Sequence, residues 1–240
     1  MPGSELALSA RRGIDAGVDW WHGAAMTHRF LLPLAPALAL ALASCATVPV
    51  GEAPQEAFWS ALSSHCGNAY AGELVSEDAR DEAFRGQPMI AHWAQCREDR
   101  IAIAFHIFDG DAHGGWNRSR TWLVTREGSG EAMRLTLKHD HRHADGEPDA
   151  VTFYGGTTDA PGTANAQDFP VDAESIALFG REGLDASLTN VWRIEVDPAG
   201  EPGAQYVYQL TRRNDPSRLF RVAFDASEPV APPPPAWGWE

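Results

Sequence analysis

The strongest constraint on this chain is a two-residue hydrophobic period that recurs through most of its length. Trp192, Ile194 and Val196 alternate with Arg193 and Glu195, Tyr206, Tyr208 and Leu210 with Gln205 and Gln209, and Phe220, Val222 and Phe224 with Arg221. Successive side chains of a strand point to opposite faces, so this period predicts sheet with one buried face. Strands are predicted over 71–76, 89–96, 101–108, 120–126, 133–141, 150–154, 190–196, 206–211 and 219–224. Between them, Asp109-Gly110, Gly128-Ser129-Gly130, Asp145-Gly146, Gly155-Gly156 and Ala199-Gly200 are turn-forming residues.

Two segments have a helical period instead. In PQEAFWSALSSHCG, Pro54 suits a first helical position and Gly67 a stop, with Phe58, Trp59, Leu62 and Cys66 on one face. A shorter helix is predicted from an Asp172 N-cap to about Phe179, with Gly180 ending it. A helix followed by about eight to ten antiparallel strands is most simply satisfied by an all-β meander β-barrel, because closure leaves no exposed edge. A two-sheet β-sandwich is the alternative. In element order and strand count the outline resembles the calycin group, lipocalins and fatty-acid-binding proteins among them. The Gly-x-Trp signature of lipocalins is absent from the first strand, AGELVS.

The N-terminal part reads as an export signal. From Met26, MTHRFLLPLAPALALALASCA places Arg29 before an apolar run of about fifteen residues, too short to span a bilayer. Leu42-Ala43-Ser44-Cys45 resembles the lipobox of bacterial lipoproteins. That resemblance implies a lipoprotein signal peptide over 26–44, lipidation of Cys45 and, with Ala46 next, an outer-membrane, periplasm-facing location. Residues 1–25 sit upstream of a normal signal start and read as a start-site artefact. Residues 45–54 form a tether, 55–228 a single domain and 229–240 a Pro-rich tail. That tail either presents Trp237 and Trp239 to a protein partner or forms an inert terminus. With Cys45 acylated, Cys66 and Cys96 remain as a pair for a disulfide in an oxidising compartment. Closing that loop stabilises by about 3 to 4 kcal/mol in the chain-entropy model. The runs FWSALSSHCGNAYAGELVS, FHIFDG, SRTWLVTR and LKHDHRHADG are similar to a set of uncharacterised exported proteins from Gram-negative bacteria, a likeness that implies no function.

A formal charge of −14, with no basic stripe hidden inside it, argues against a nucleic-acid partner. There is no Gly-x-Ser-x-Gly elbow, phosphate loop or Gly-x-Gly-x-x-Gly, so no enzyme class is indicated. Asp109 and Asp111 lack the spacing of an EF-hand loop. The most unusual segment is MRLTLKHDHRHADG, in which Met133, Leu135, Leu137, His139, His141 and His143 share one strand face. Imidazoles two residues apart on a strand lie about 7 Å apart at Cα and can converge on zinc or copper. A third ligand would have to come from His106, His92 or His113. The same histidines also suit a solvated strand end, or the polar rim of an organic-ligand site. His-x-His-x-Asp-His of the metallo-β-lactamases is not met, since His143 and Ala144 stand where that motif has Asp and His.

The function these residues suggest is a lipid-anchored, non-enzymatic binder of a small apolar or amphipathic ligand. Trp93, His106, Trp122, Trp192, Tyr206 and Phe220 are the expected lining. The alternatives are a metalloprotein built on His139, His141 and His106, and a structural or assembly lipoprotein.

Overall fold

The alternating segments pair into one continuous antiparallel sheet of ten strands, in a computed structural model that describes residues 52–110 and 112–239. The signal segment, Cys45 and most of the tether lie outside the described residues, as does Asp111.

Helix α1 (Pro54–Ser63) is followed by β1 (Ala69–Leu74), β2 (Met89–Cys96), β3 (Arg100–Phe108), β4 (Trp116–Glu127), β5 (Arg134–His141), β6 (Tyr154–Thr157) and β7 (Ala166–Pro170). Helix α2 (Ala173–Arg181), β8 (Asn190–Val196), β9 (Gln205–Arg212) and β10 (Asp215–Pro229) complete the chain. The strand order is β6-β5-β4-β3-β2-β1-β10-β9-β8-β7, so β1 pairs with β10 in an up-and-down meander. The barrel is nearly closed. Its seam lies between β6 and β7, spanned by a Gly156–Val171 bridge and by the Asp172 N–H donating to the Gly155 carbonyl at 3.1 Å.

That seam explains the sequence reading that failed. Strand β6 is YGGT, where a turn was expected, and the strand expected over 150–154 is mostly loop. A Cβ on Gly155 would stand 1.7 Å from the Leu137 carbonyl oxygen, and one on Gly156 2.1 Å from that of Pro170. The two glycines let backbones approach at the closure, at the expense of the β-branched residues that announce a strand. Strand β7, AQDFP, lacks an apolar stripe because its inward Gln167 is hydrogen-bonded to the Pro161 and Thr163 carbonyls at 3.0 and 2.9 Å.

Helix α1 starts at Pro54 as expected and buries Phe58, Trp59 and Leu62, each worth about 2 kcal/mol. Cys66 lies beyond the helix and is exposed, bonded to Cys96 with the Cα atoms 6.0 Å apart. Helix α1 closes one end of the barrel: Gln55 Nε2 donates to Thr158 Oγ1 at 2.8 Å, and the Trp93 indole to the Leu62 carbonyl at 2.9 Å. In α2, Asp172 caps as expected, accepting from Ser175 N–H at 2.9 Å. Gly180 lies inside α2, and the turn after it is taken by Gly183, with φ +69°.

The Pro-rich tail is packed, contrary to both expectations for it. Val230 N–H donates to the Ala69 carbonyl at 2.8 Å, Trp237 N–H to that of Arg118 at 3.1 Å, and the Trp239 indole to Asp140 at 2.9 Å. These acceptors belong to β1, β4 and β5, so the tail crosses the outside of the wall. There the outward-facing Ala102, Ala104, His106, Thr121 and Asp140 are buried.

Candidate functional site

The inward faces fill most of the barrel. Trp93 sits against Tyr206, His65 and Tyr70 at ring distances of 4.7, 5.1 and 5.6 Å, and Tyr206 packs on Phe224 at 5.6 Å. Trp93 and Tyr206, expected to line a ligand chamber, are therefore core. Small barrels commonly fill their interiors in this way.

The end opposite α1 is not filled. A cavity of about 170 Å³ is lined by Phe105, Arg120, Trp122, His139, His141, Tyr154, Tyr208 and Leu210, with Asp81, Phe84, Arg218 and Phe220 at its margin. An adjoining hollow of about 240 Å³ shares His141, Tyr154, Tyr208 and Leu210 and adds Trp192 and Arg212. Of the expected lining, Trp122, Phe220 and Trp192 reach this mouth.

Register assembles the site. Arg120, Trp122 and Val124 share the inner face of β4; Trp122 stands opposite His139 on β5, and His139 opposite Tyr154 on β6. Trp122 is sandwiched between Phe105 (4.6 Å, 14° between planes) and Tyr208 (4.3 Å, 17°), which makes a three-ring aromatic stack in the cavity wall. His139 stacks on Tyr154 at 4.7 Å. The segment Ala79–Phe84 lies at the margin, where Asp81 takes both Arg218 guanidinium nitrogens, Nη2 at 2.9 Å, and Phe84 meets Phe220 at 5.6 Å.

Hydrogen bonding fixes the proton on His139. Its Nδ1 lies 3.0 Å from the Tyr154 carbonyl, which only accepts, so Nδ1 carries the hydrogen and Nε2 accepts from the Tyr208 hydroxyl at 2.7 Å. Burial, with help from His141, pushes its pKa down to about 3; burial and Arg120 take His141 to about 4. Burial also raises the Tyr154 phenol to about 12 and that of Tyr208 well above its usual value. All four groups are thus neutral at physiological pH.

The expected metal set is not brought together. His139 has both ring nitrogens engaged. His106, like His92, is on the outer face of the wall, and both His106 nitrogens are buried without a partner. His113 lies in a turn beside Asp109 at 3.2 Å, and β5 ends at His141, leaving His143 exposed. Among the described residues no group of three or more His, Cys, Asp or Glu is placed to hold a metal ion. His106 is likewise removed from the ligand lining, because its strand parity puts Ile103, Phe105 and Ile107 inside and Ala102, Ala104 and His106 outside.

Arg120, Tyr154 and Tyr208 were missed as site residues. Arg120 left a readable signal: a lone cation in phase with Trp122 and Val124 on an apolar stripe. Tyr154 left none, since its strand was misplaced.

The fold and site define a nearly closed, ten-stranded antiparallel barrel, packed at one end and hollow at an aromatic, polar-edged mouth. No family model, no curated protein and no solved structure matches the chain.

Proposed function

We propose that this is a lipid-anchored protein of the bacterial outer membrane, facing the periplasm, whose barrel mouth binds a small amphipathic molecule without transforming it. The observation that carries the binding reading is the unfilled mouth. An otherwise close-packed interior leaves a cavity of about 170 Å³ between a stack of aromatic rings and a ring of polar side chains. A void of about 150 Å³ accommodates benzene, so the site suits a compact ligand. A long acyl chain does not fit, because Trp93 and Tyr206 occupy the space beneath. Anchorage rests on Leu42-Ala43-Ser44-Cys45 and on the likeness of the segments above to exported Gram-negative proteins, and the Cys66–Cys96 bond suits an oxidising compartment.

Two measurements test this reading. Protein purified in mild detergent from its own cell envelope is extracted with organic solvent, and the extract is analysed by mass spectrometry. A compact organic molecule in near-equal amount to the protein is expected, lost in a Trp122→Ala variant; an extract holding only N-terminal acyl chains overturns the binding reading. The intact mass is expected to begin at Cys45 with attached lipid, and an unmodified cysteine there overturns the anchor.

A further inference from the structure

The groups lining the mouth cavity sum to one uncompensated positive charge. Asp81 and Arg218 neutralise each other, and the two imidazoles and two phenols carry no charge. Arg120 remains. Its guanidinium reaches only Ser119 Oγ, at 3.1 Å, and no carboxylate among the described residues pairs with it. Elsewhere on the wall Arg193 pairs with Asp168 and Glu195, Arg221 with Glu195 and Arg212 with Asn190, while Arg126 and Arg134 are held by the Glu98 and Met133 carbonyls. Arg120 is half-buried, and with one of its five donors placed on Ser119 the rest stay open to a ligand entering the mouth.

We infer that the mouth is a subsite for the carboxylate of a small, flat, monoanionic organic acid. This rests on the ligand-binding reading above and specifies its chemistry. The planar Arg120 fork matches the two oxygens of one carboxylate. Tyr154 supplies a further donor. Its hydroxyl lies 3.2 Å from His141 Nε2, and with the proton on that nitrogen His141 donates to the phenol oxygen and frees the phenol hydrogen for the ligand. Tyr208 cannot serve, because its hydrogen is committed to His139. The ligand's apolar body lies on the Phe105–Trp122–Tyr208 stack, and the volume admits about one ring. The chain's overall charge of −14 makes this local positive mouth selective: a monoanion is attracted at short range, and a polyanion is repelled by the rest of the surface.

The test titrates wild-type protein, Arg120→Met and Arg120→Lys with benzoate and with its neutral analogue benzyl alcohol, by calorimetry and tryptophan fluorescence. Wild type is expected to prefer benzoate. Arg120→Met is expected to weaken benzoate about 10- to 100-fold, the range for a hydrogen bond to a charged group, and to weaken benzyl alcohol far less. Arg120→Lys keeps the charge but not the fork, and an intermediate loss is expected. The urea midpoint of Arg120→Met should hold or rise, since a charge without a partner is removed; a clear fall would make Arg120 a structural prop and overturn the assignment. Equal binding of both probes, or benzoate binding that survives Arg120→Met, overturns the anion subsite and leaves the cavity reading standing. Failure of both probes to bind overturns the two together.

Discussion

Acidification to pH 5 should unfold this protein, or bring it close, through histidines buried in their neutral form. Burial holds His106 and His139 down to about 3 and His141 to about 4, against 6.5 in the unfolded chain. The unfolded chain therefore binds protons that the folded chain refuses between pH 6.5 and 4. Stability is full above 6.5 and is lost as pH falls through that window. Going from pH 7 to pH 5 removes about 2 kcal/mol per histidine, and about 6 kcal/mol for the three, against about 5 to 15 kcal/mol in a typical domain. His65 and His92, also lowered by burial, add with the same sign. Among the carboxylates, Asp215, held near 2 by Ser217 and Arg80, loses its contribution only below its unfolded value of 3.8, and Glu195, lowered from 4.5 by Arg221, adds with the same sign at the acid end of the window. Urea titrations at pH 7, 6 and 5 measure the loss, and potentiometry at pH 5 should find about three or more protons taken up on unfolding. His106→Phe removes one of them and an unpartnered buried imidazole, so that variant should be at least as stable as wild type at pH 7 and more stable at pH 5. A urea midpoint that stays flat from pH 7 to pH 5, or uptake below one proton, refutes the reasoning.

Three further outcomes follow from the packing. Gly155→Ala should cost about 3 kcal/mol or more in urea denaturation, because its Cβ meets the Leu137 carbonyl oxygen at 1.7 Å, whereas Gly180→Ala, in open space within α2, should stabilise by about 0.5 to 1 kcal/mol. Trp237→Ala should lower stability by about 3 kcal/mol, as the packed tail requires, and should speed proteolysis after Glu228; no change would mean the tail is dispensable. Replacing Cys66 and Cys96 together by Ser should cost about 3 to 4 kcal/mol, measured as a fall in thermal midpoint under oxidising conditions.

The barrel was legible because many of its strands carry one-sided burial: alternation of Trp192, Ile194 and Val196 with Arg193 and Glu195 marks Asn190–Val196 to the residue. The seam was not, because close backbone approach selects glycine, and Gly155-Gly156 reads locally as a turn. The tail was misread for a related reason. Four prolines forbid ladder hydrogen bonds, but they do not forbid packing onto a wall whose outer face carries Ala102 and Ala104. The face shared by Leu135, Leu137, His139 and His141 was legible from the sequence, and in the barrel that face is the inner one. Which groups join them there depends on pairings between distant strands, and alternation is silent about those. His106 shows the limit most clearly, since its own strand fixes the face it shares with Ala102 and Ala104 but not whether that face is inside.

The most direct test of the central claim, that the mouth and not the packed interior receives the ligand, is a two-dimensional NMR titration of the tryptophan indole N–H groups with benzoate. The Trp122 and Trp192 signals should move in proportion to occupancy while those of Trp93 and Trp59 stay in place. Shifts centred on Trp93, or none at any indole, would contradict the account.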